Sequence, residues 1–205
     1  RQFILLSAIC VQKPRLAFQH AKLAFEQALI SSGLTYSIVR PTAYFKSLSG
    51  QIERLRQGKP FWVFGDGQLT SCKPISDEDL GHFLTNCLND PQRHNRILPI
   101  GGPGPAITPL EQARELFRLL NQPIRVKHMP VWVLTVIART LGAIGLVWPS
   151  VRKKAELARI GHYYATESML ILNPQTGLYD EANTPSCGHQ TLFEYYAQEI
   201  GRAHV

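Results

Sequence analysis

Two short apolar runs on either side of a helical segment constrain the fold of this chain more than any other feature. Phe3–Ile9 is nearly continuous in apolar residues, which is typical of a strand buried on both faces of a parallel sheet. Pro14 is placed to open a helix that ends near Ser31, ahead of Gly33, and Tyr36–Arg40 forms the next strand. This order predicts a right-handed βαβ unit with two parallel strands.

The helix between these strands is predicted to bury one apolar face. Five residues fall on that face at helical spacing: Phe18, Ala21, Phe25, Ala28 and Leu29. Lys22 lies beside this face, so its stem either covers the core or its charge serves a ligand. The strand before the helix ends in Ser7-Ala8, and the strand after it ends in Arg40-Pro41-Thr42. The carboxyl ends of parallel strands open on the same crevice, where ligands bind in folds of this class.

The rest of the chain adds short strands and then turns mostly helical. Further strands are predicted at Phe61–Phe64, Arg96–Ile100 and Ile124–His128. Ser76 and Thr108 are predicted N-caps, and further helices are expected near residues 130–147, 150–163 and 190–199. The sequence therefore predicts an α/β fold: the later part of an open parallel sheet over residues 1–104, then a mostly helical subdomain over residues 105–199. Residues 200–205 are predicted to be a non-native tail.

Charge and cysteine content narrow the class of ligand. The whole excess of +7 falls within residues 1–60, which favours a site for an anion such as a phosphate or carboxylate, although scattered surface lysines would give the same count. No basic helix with interleaved aromatic residues indicates nucleic acid. The four cysteines are far apart, which argues against a zinc module or a disulfide scaffold and predicts no metal site.

The segment Met129–Trp148 carries a single charge, Arg139, in twenty residues. An arginine near the centre of a membrane span costs about 3 kcal/mol, and Gly142 and Gly145 loosen the segment. A buried helix, or a wall for a flat apolar ligand, is the preferred interpretation, with peripheral docking on a membrane as a compatible alternative.

The residues at the crevice resemble the later half of the short-chain dehydrogenase/reductase family. That family has a strand ending in Ser, then a helix with Tyr-x-x-x-Lys, then a further strand. Here the matching frame is Phe18-Gln-His-Ala-Lys22, so the lysine is present and phenylalanine stands where the family has its tyrosine. This difference leaves the source of the proton open.

Five blocks in order carry a closer resemblance, to the divinyl chlorophyllide a 8-vinyl-reductases, which are NADPH-dependent atypical members of that family with a Rossmann-like, NmrA-like fold. The blocks are LLSAICVQKPRLAFQHAKLAFE, YSIVRPTAYFKSLSGQ, FGDGQLTSCKPISDEDL, LPIGGPGPAITPLEQA and IGHYYATESMLILNP. The family also has a glycine-rich turn for the cofactor phosphates. The GGPGP at residues 101–105 does not serve as one, because prolines lack the N–H groups that such a cradle needs.

The resemblance implies reduction of the 8-vinyl group of a tetrapyrrole, divinyl chlorophyllide or protochlorophyllide, with NADPH as cofactor. It implies that Lys22 is catalytic and holds the nicotinamide ribose. The implied cofactor contacts are Ser7, Ala8, Lys22, Pro41, Thr42 and Ala43, and the implied substrate contacts are Tyr44, Phe45 and Lys46. Because the charge left by hydride addition spreads into the macrocycle, the proton can come from water or from another acid.

Two alternatives to this function remain open. A non-catalytic NADP-sensing regulator of the NmrA type shares the fold and often lacks the tyrosine. A reductase of some other conjugated small molecule would rest on the fold alone. The resemblance implies an N-terminally truncated fragment that is inactive alone, and a chloroplast location or, alternatively, the cytoplasm of a photosynthetic bacterium.

Overall fold

A computed structural model describes residues 1–202. The strands are β1 (Gln2–Leu6), β2 (Thr35–Pro41), β3 (Phe61–Phe64), β4 (Arg96–Ile100), β5 (Val126–Met129), β6 (Ile171–Leu172) and β7 (Tyr179–Asp180). The helices are α1 (Ala17–Ile30), α2 (Phe45–Leu48), α3 (Ile52–Arg56), α4 (Asp77–Asn89), α5 (Pro109–Leu119), α6 (Val131–Val147), α7 (Pro149–Thr166) and α8 (Leu192–Arg202). Short 3-10 helices occupy Ile9–Gln12 and Pro91–Arg93.

The main sheet has the parallel strand order β1-β2-β4, which confirms the predicted βαβ unit and the α/β class. Leu6 pairs with Val39, and Pro41 pairs with Ile100, so the three strands end at nearly the same level. Ile38 and Val39 of the central strand are fully buried. The predicted cap at Thr108 is also present, with Glu111 reaching back to form a capping box.

A second parallel pair joins β3 to β5 and carries the largest apolar core. Phe61 and Val63 point into this core, together with residues of α2, α3, α5 and α8. The side chain of Gln51 forms two hydrogen bonds with the backbone of Trp62. Its Nε2 donates to the Trp62 carbonyl, and its Oε1 accepts from the Trp62 N–H, so both backbone groups at the outer edge of β3 have a partner. This core contains residues from both sides of the predicted boundary after residue 104.

Helix α1 buries a different face from the predicted one. Phe25 is 49% exposed, and Ala21 and Ala28 are exposed as well, whereas Gln19 and Glu26 are buried. Each buried polar group has partners. The Gln19 oxygen accepts the backbone N–H groups of Arg15 and Leu16 at 2.7 and 2.9 Å. These hydrogen bonds allow the side of α1 that carries Gln19 and Glu26 to pack inward. Of the predicted apolar face, only Leu29 is buried.

The apolar segment after β5 forms α6, but it is not buried as preferred from the sequence. Trp132 is 65% exposed, and Val136, Ile137 and Ile144 are also exposed, because α6 packs chiefly against α7 in a helical hairpin. Within residues 1–202, no helix combines the length and the hydropathy needed to cross a bilayer.

The first residues of the predicted non-native tail continue the last helix of the described chain. Helix α8 continues through Gly201 to Arg202, and Ile200 is 5% exposed within the core around β3. Residues 203–205 lie outside the described part of the chain.

A buried ion pair joins α1 to the ends of the first two strands. The Arg40 guanidinium donates from Nε to Glu26 Oε1 at 3.0 Å and from a second nitrogen to the other carboxylate oxygen. The Ser7 hydroxyl donates to the same carboxylate. Only 3% of the Glu26 side chain and 16% of the Arg40 side chain are exposed.

Removing one partner of this pair should be costly. We expect Glu26→Ala to lower the free energy of unfolding by about 3–5 kcal/mol, because the Arg40 charge would be left buried without its partner. The double variant Glu26→Leu with Arg40→Met should recover at least half of that loss. Urea unfolding of the three proteins measures this, and a double variant no more stable than Glu26→Ala would contradict it.

Candidate functional site

A hollow of about 390 Å³ lies at the carboxyl ends of β1 and β2. Ala8 and Cys10 line it from the segment after β1, and Pro41, Thr42 and Ala43 line it from the end of β2. This is the crevice position predicted from the parallel strands.

A second hollow, of about 330 Å³, adjoins the first and extends it toward β3. The two share six lining residues: Ser47, Leu48, Thr70, Pro109, Gln112 and Tyr164. Trp62, Phe64 and Leu69 line the outer end. We call the two hollows together the cleft; its walls are largely apolar and aromatic, as in sites for small organic ligands.

The wall at β2 is fixed by backbone hydrogen bonds. The Thr42 N–H donates to the Ile100 carbonyl at 3.0 Å, and its hydroxyl donates to the Lys73 carbonyl. The Ile75 N–H donates to the Ala43 carbonyl at 2.9 Å. These bonds fix the position of the chain after β2, where Thr42, Ala43 and Tyr44 all line the cleft.

The opposite wall is the segment after β1, held against α7. The Tyr163 hydroxyl donates to the Cys10 carbonyl at 2.8 Å and lies 3.2 Å from the Lys13 carbonyl. Glu167 is buried at the end of α7, where Lys13 and Arg15 each form an ion pair with it at 2.8 Å. The Tyr179 hydroxyl donates to the same carboxylate at 2.7 Å.

These partners determine the charge of Glu167. Burial by itself would raise the pKa of its carboxyl, but the hydrogen bonds from Lys13 and Tyr179 and the charges of Arg15 and Lys13 together outweigh it, so the pKa lies below the ordinary value. Glu167 is therefore an anion at neutral pH, with no proton to give.

The structure brings together five of the residues predicted for the site. Ala8, Pro41, Thr42, Ala43 and Tyr44 all line the first hollow of the cleft. Burial raises the pKa of the Tyr44 hydroxyl, with smaller contributions from Asp77 and Cys10, so Tyr44 is a neutral phenol.

Four predicted residues do not line the cleft. Ser7 and Lys22 border a separate hollow of about 260 Å³ between β1 and α1, where Lys22 Nζ lies 3.4 Å from the Leu6 carbonyl. Phe45 is 3% exposed within the core around β3, and the exposed Lys46 follows it on α2. The chain turns into α2 directly after Tyr44, which directs Phe45 inward.

The glycines of residues 101–105 have a packing role. The Gly101 and Gly102 N–H groups donate to the Pro185 and Lys73 carbonyls, and a side chain at Gly102 would overlap the backbone of Pro74. Amides used in this way cannot cradle a phosphate, which agrees with the sequence argument from the prolines.

Residues of the cleft that the sequence analysis did not select are Tyr164, Gln112 and Trp62. From the sequence alone, nothing distinguishes which of the adjacent tyrosines at positions 163 and 164 packs in the core and which faces the cleft. In the structure Tyr163 is 3% exposed and Tyr164 is 44% exposed. The position of α7 over the cleft, set by tertiary packing, decides this.

A larger hollow, of about 550 Å³, lies away from the strand ends, between α1, α6 and α7. Arg15, Arg139, Arg159 and His162 are on its border. Among the described residues, no group of three His, Cys, Asp or Glu side chains is placed to hold a metal ion.

Comparison with known proteins shows close relatives. The chain is 50% identical over 206 residues to the chloroplastic divinyl chlorophyllide a 8-vinyl-reductase of Arabidopsis thaliana. This match covers 98% of the chain and 49% of the relative. It is 51% identical to the enzyme of the same name from Oryza sativa subsp. indica, over 97% of this chain and 50% of the relative. The chain thus spans about half the length of the curated relatives it matches. No protein-family model matches it.

Solved structures share the fold at low sequence identity. The NADPH-dependent quinone oxidoreductase of Escherichia coli, complexed with NADPH, matches with a TM-score of 0.63 at 14% identity, over 100% of this chain and 66% of that one. The leucoanthocyanidin reductase of Vitis vinifera matches with a TM-score of 0.66 at 13% identity, over 98% and 69% of the two chains.

The Glu167 anchor makes a pH-dependent prediction. A carboxyl whose folded pKa is lowered contributes stability that is present above its unfolded pKa, about 4.3, and is lost as the pH falls through the folded pKa. We expect Glu167→Gln to lower the Tm by several degrees at pH 7 and by progressively less below about pH 4. Thermal unfolding between pH 3 and 7 measures this, with Glu78→Gln, an exposed carboxylate on α4, as the control that shows only a small change. A Glu167→Gln difference that persists at pH 3 would contradict the prediction.

Proposed function

The chain belongs to the family of divinyl chlorophyllide a 8-vinyl-reductases, and we propose that it contributes the reaction cleft to an NADPH-dependent enzyme of the chloroplast. The reaction proposed is reduction of the 8-vinyl group of divinyl chlorophyllide, or of the related protochlorophyllide, to ethyl. One observation carries the proposal: half of all positions are identical to these reductases over a stretch that contains every residue of the cleft.

The residues at the strand ends fit the nicotinamide end of NADPH. Pro41, Thr42 and Ala43 provide a rigid, mostly apolar floor at the carboxyl edge of the sheet. The Lys22 ammonium is partly exposed near this edge, and its hydrogen bond in the described structure is a long one to the Leu6 carbonyl. It is therefore free to bond ribose hydroxyls. NADPH, when bound, supplies a hydride.

The walls of the cleft fit a flat aromatic substrate. Tyr44, Trp62, Phe64 and Tyr164 offer ring faces or edges along its length. Such walls also exclude water from the reacting carbons. The vinyl group is conjugated with the macrocycle, so the electron pair left by hydride addition is delocalised and needs only one well-placed acid to complete the reduction.

The test of this function uses protein of full family length that carries this chain. With NADPH and divinyl chlorophyllide, the absorption bands of the vinyl pigment should convert to those of the ethyl pigment as NADPH is oxidised. Binding of NADPH without any change of the pigment would instead support the sensor alternative.

Lys22 gives a prediction about the cofactor. Lys22→Met keeps the apolar stem and removes the charge, so NADPH affinity should fall by one to two orders of magnitude, the equivalent of about 1.5–3 kcal/mol for a lost charged hydrogen bond. Fluorescence titration with NADPH measures it. Lys59→Met, on an exposed turn, is the matched control. If the two variants bind NADPH with equal affinity, the prediction is wrong, and the role of Lys22 is to cover the core with its apolar stem.

We further propose that α6 rests on an anionic lipid surface. Trp132 and Trp148 are each 65% exposed, one at either end of the helix, and the apolar Val136, Ile137 and Ile144 are exposed between them. No Asp or Glu occurs in residues 131–155, whereas Lys153 and Lys154 are exposed at the start of α7. Apolar rings beside cations favour the headgroup region of an anionic membrane.

Vesicle sedimentation tests the lipid surface. We expect the protein to bind vesicles with anionic lipid, and Trp132→Ser with Trp148→Ser to weaken binding at least tenfold. Leu178→Ser, which replaces an exposed leucine in the loop before β7, is the control that should bind normally. Absence of vesicle binding by the unmodified protein would reject the proposal, and a dimer that dissociates in the Trp variant would assign this face to a second copy.

A further inference from the structure

The side chain of Tyr164 lies where the two hollows of the cleft join, and it lines both. It is 44% exposed, although Tyr163 and Ala165 beside it on α7 are buried at 3% and 7%. The only hydrogen-bonding contact of its hydroxyl in the described structure is a long one, 4.0 Å to the Cys10 sulfur. A ligand that fills the cleft must therefore pass this hydroxyl, which is available to it.

Most other polar groups along the cleft cannot give up a proton. Glu167 is an anion held by Lys13, Arg15 and Tyr179. The Thr42 hydroxyl already donates to the Lys73 carbonyl. The buried Cys72 thiol is directed to the Ile107 carbonyl, away from a ligand in the cleft. The aliphatic hydroxyls of Ser47, Thr70 and Ser71 are much weaker acids than a phenol.

Three acidic groups remain, the phenols of Tyr44 and Tyr164 and the thiol of Cys10. Cys10 is 3% exposed and packs in an apolar cluster. Tyr44 lines only the first hollow. Tyr164 alone among the three spans both, which gives it reach to a macrocycle lying along the whole cleft.

We propose that Tyr164 is the proton donor for reduction of the vinyl group; this inference rests on the function proposed above. When bound, NADPH would supply a hydride, two electrons with one hydrogen, to one carbon of the double bond and would leave as NADP⁺. The π bond breaks, and its electron pair moves into the conjugated ring. The Tyr164 O–H bond then breaks, its proton forms the second C–H bond, and the tyrosinate recovers a proton from water at the open side of the cleft.

The surroundings of Tyr164 keep it in the form that this step needs. Burial, followed by the neighbouring Cys10, raises the pKa of its hydroxyl above the ordinary value, so the phenol holds its proton at neutral pH. The side of the ring that is exposed gives water a route for reprotonation.

The experiment compares Tyr164→Phe with Tyr195→Phe in protein of full family length; Tyr195 lies on α8 and does not line the cleft. Both changes remove one hydroxyl and keep the ring. General acids contribute about 10²–10⁴ in rate, so we expect Tyr164→Phe to lower kcat at least 100-fold. The Kd for divinyl chlorophyllide, measured by absorbance without NADPH, should change less than threefold. Tyr195→Phe, which packs against the core around β3, should leave both kcat and that Kd within about threefold.

Further measurements separate a chemical role from a structural one. The unmodified enzyme should show a solvent deuterium isotope effect on single-turnover reduction. A fluorinated tyrosine at position 164, which lowers the pKa of the phenol with little change of size, should alter that rate, whereas the same change at position 195 should not.

Each contrary result has a distinct meaning. Normal kcat in Tyr164→Phe, or loss of pigment affinity with kcat preserved, would overturn the proton-donor role and leave the proposed function standing. A 100-fold loss in Tyr44→Phe but not in Tyr164→Phe would also overturn it. Failure of the unmodified enzyme to reduce the vinyl group would reject the proposed function itself.

Discussion

The buried carboxylate of Glu26 is the interaction on which the geometry of the sheet edge depends. It accepts hydrogen bonds from Ser7 at the end of β1 and from Arg40 at the end of β2, so one group on the crossover helix fixes the ends of two strands. A carboxylate in such a position is tolerated only with its cation and its hydrogen bonds in place. The same bonds orient α1, and the cleft opens directly beyond the two strand ends that they join.

A second buried carboxylate, Glu167, fixes the other side of the cleft. It binds Lys13 and Arg15 from the segment after β1 and Tyr179 from β7, so that segment is clamped against the end of α7. The first anchor places the floor of the cleft, and the second places the wall that carries Tyr164. Neither carboxylate faces the space as a free acid, so both act by positioning the residues around it.

The sequence predicted elements whose signals are local and missed faces that tertiary contacts decide. The apolar strands, the Thr108 cap and the crevice at the strand ends follow from runs, spacing and strand order. The crevice residues Ala43 and Tyr44 were implied by the family resemblance. The buried face of α1 did not follow from spacing, because hydrogen bonds of Gln19 and Glu26 outweigh the apolar pattern. Phe45 lies in the core because the chain coils into α2 directly after Tyr44, a turn that no local signal in the sequence predicts.

The phenylalanine at position 18 has a consistent explanation in this arrangement. Phe18 packs against the cluster that contains Ile9 and Leu16, and it does not line the cleft. A hydroxyl there would have no ligand to serve and would need a partner inside an apolar cluster. The phenol of Tyr164 approaches the cleft from α7, on the side opposite the strand ends. A carbonyl needs its acid at the oxygen beside the hydride, whereas a conjugated ring can accept the proton at a distance from it. An acid on α7 instead of α1 is therefore compatible with the proposed reduction of a carbon–carbon double bond.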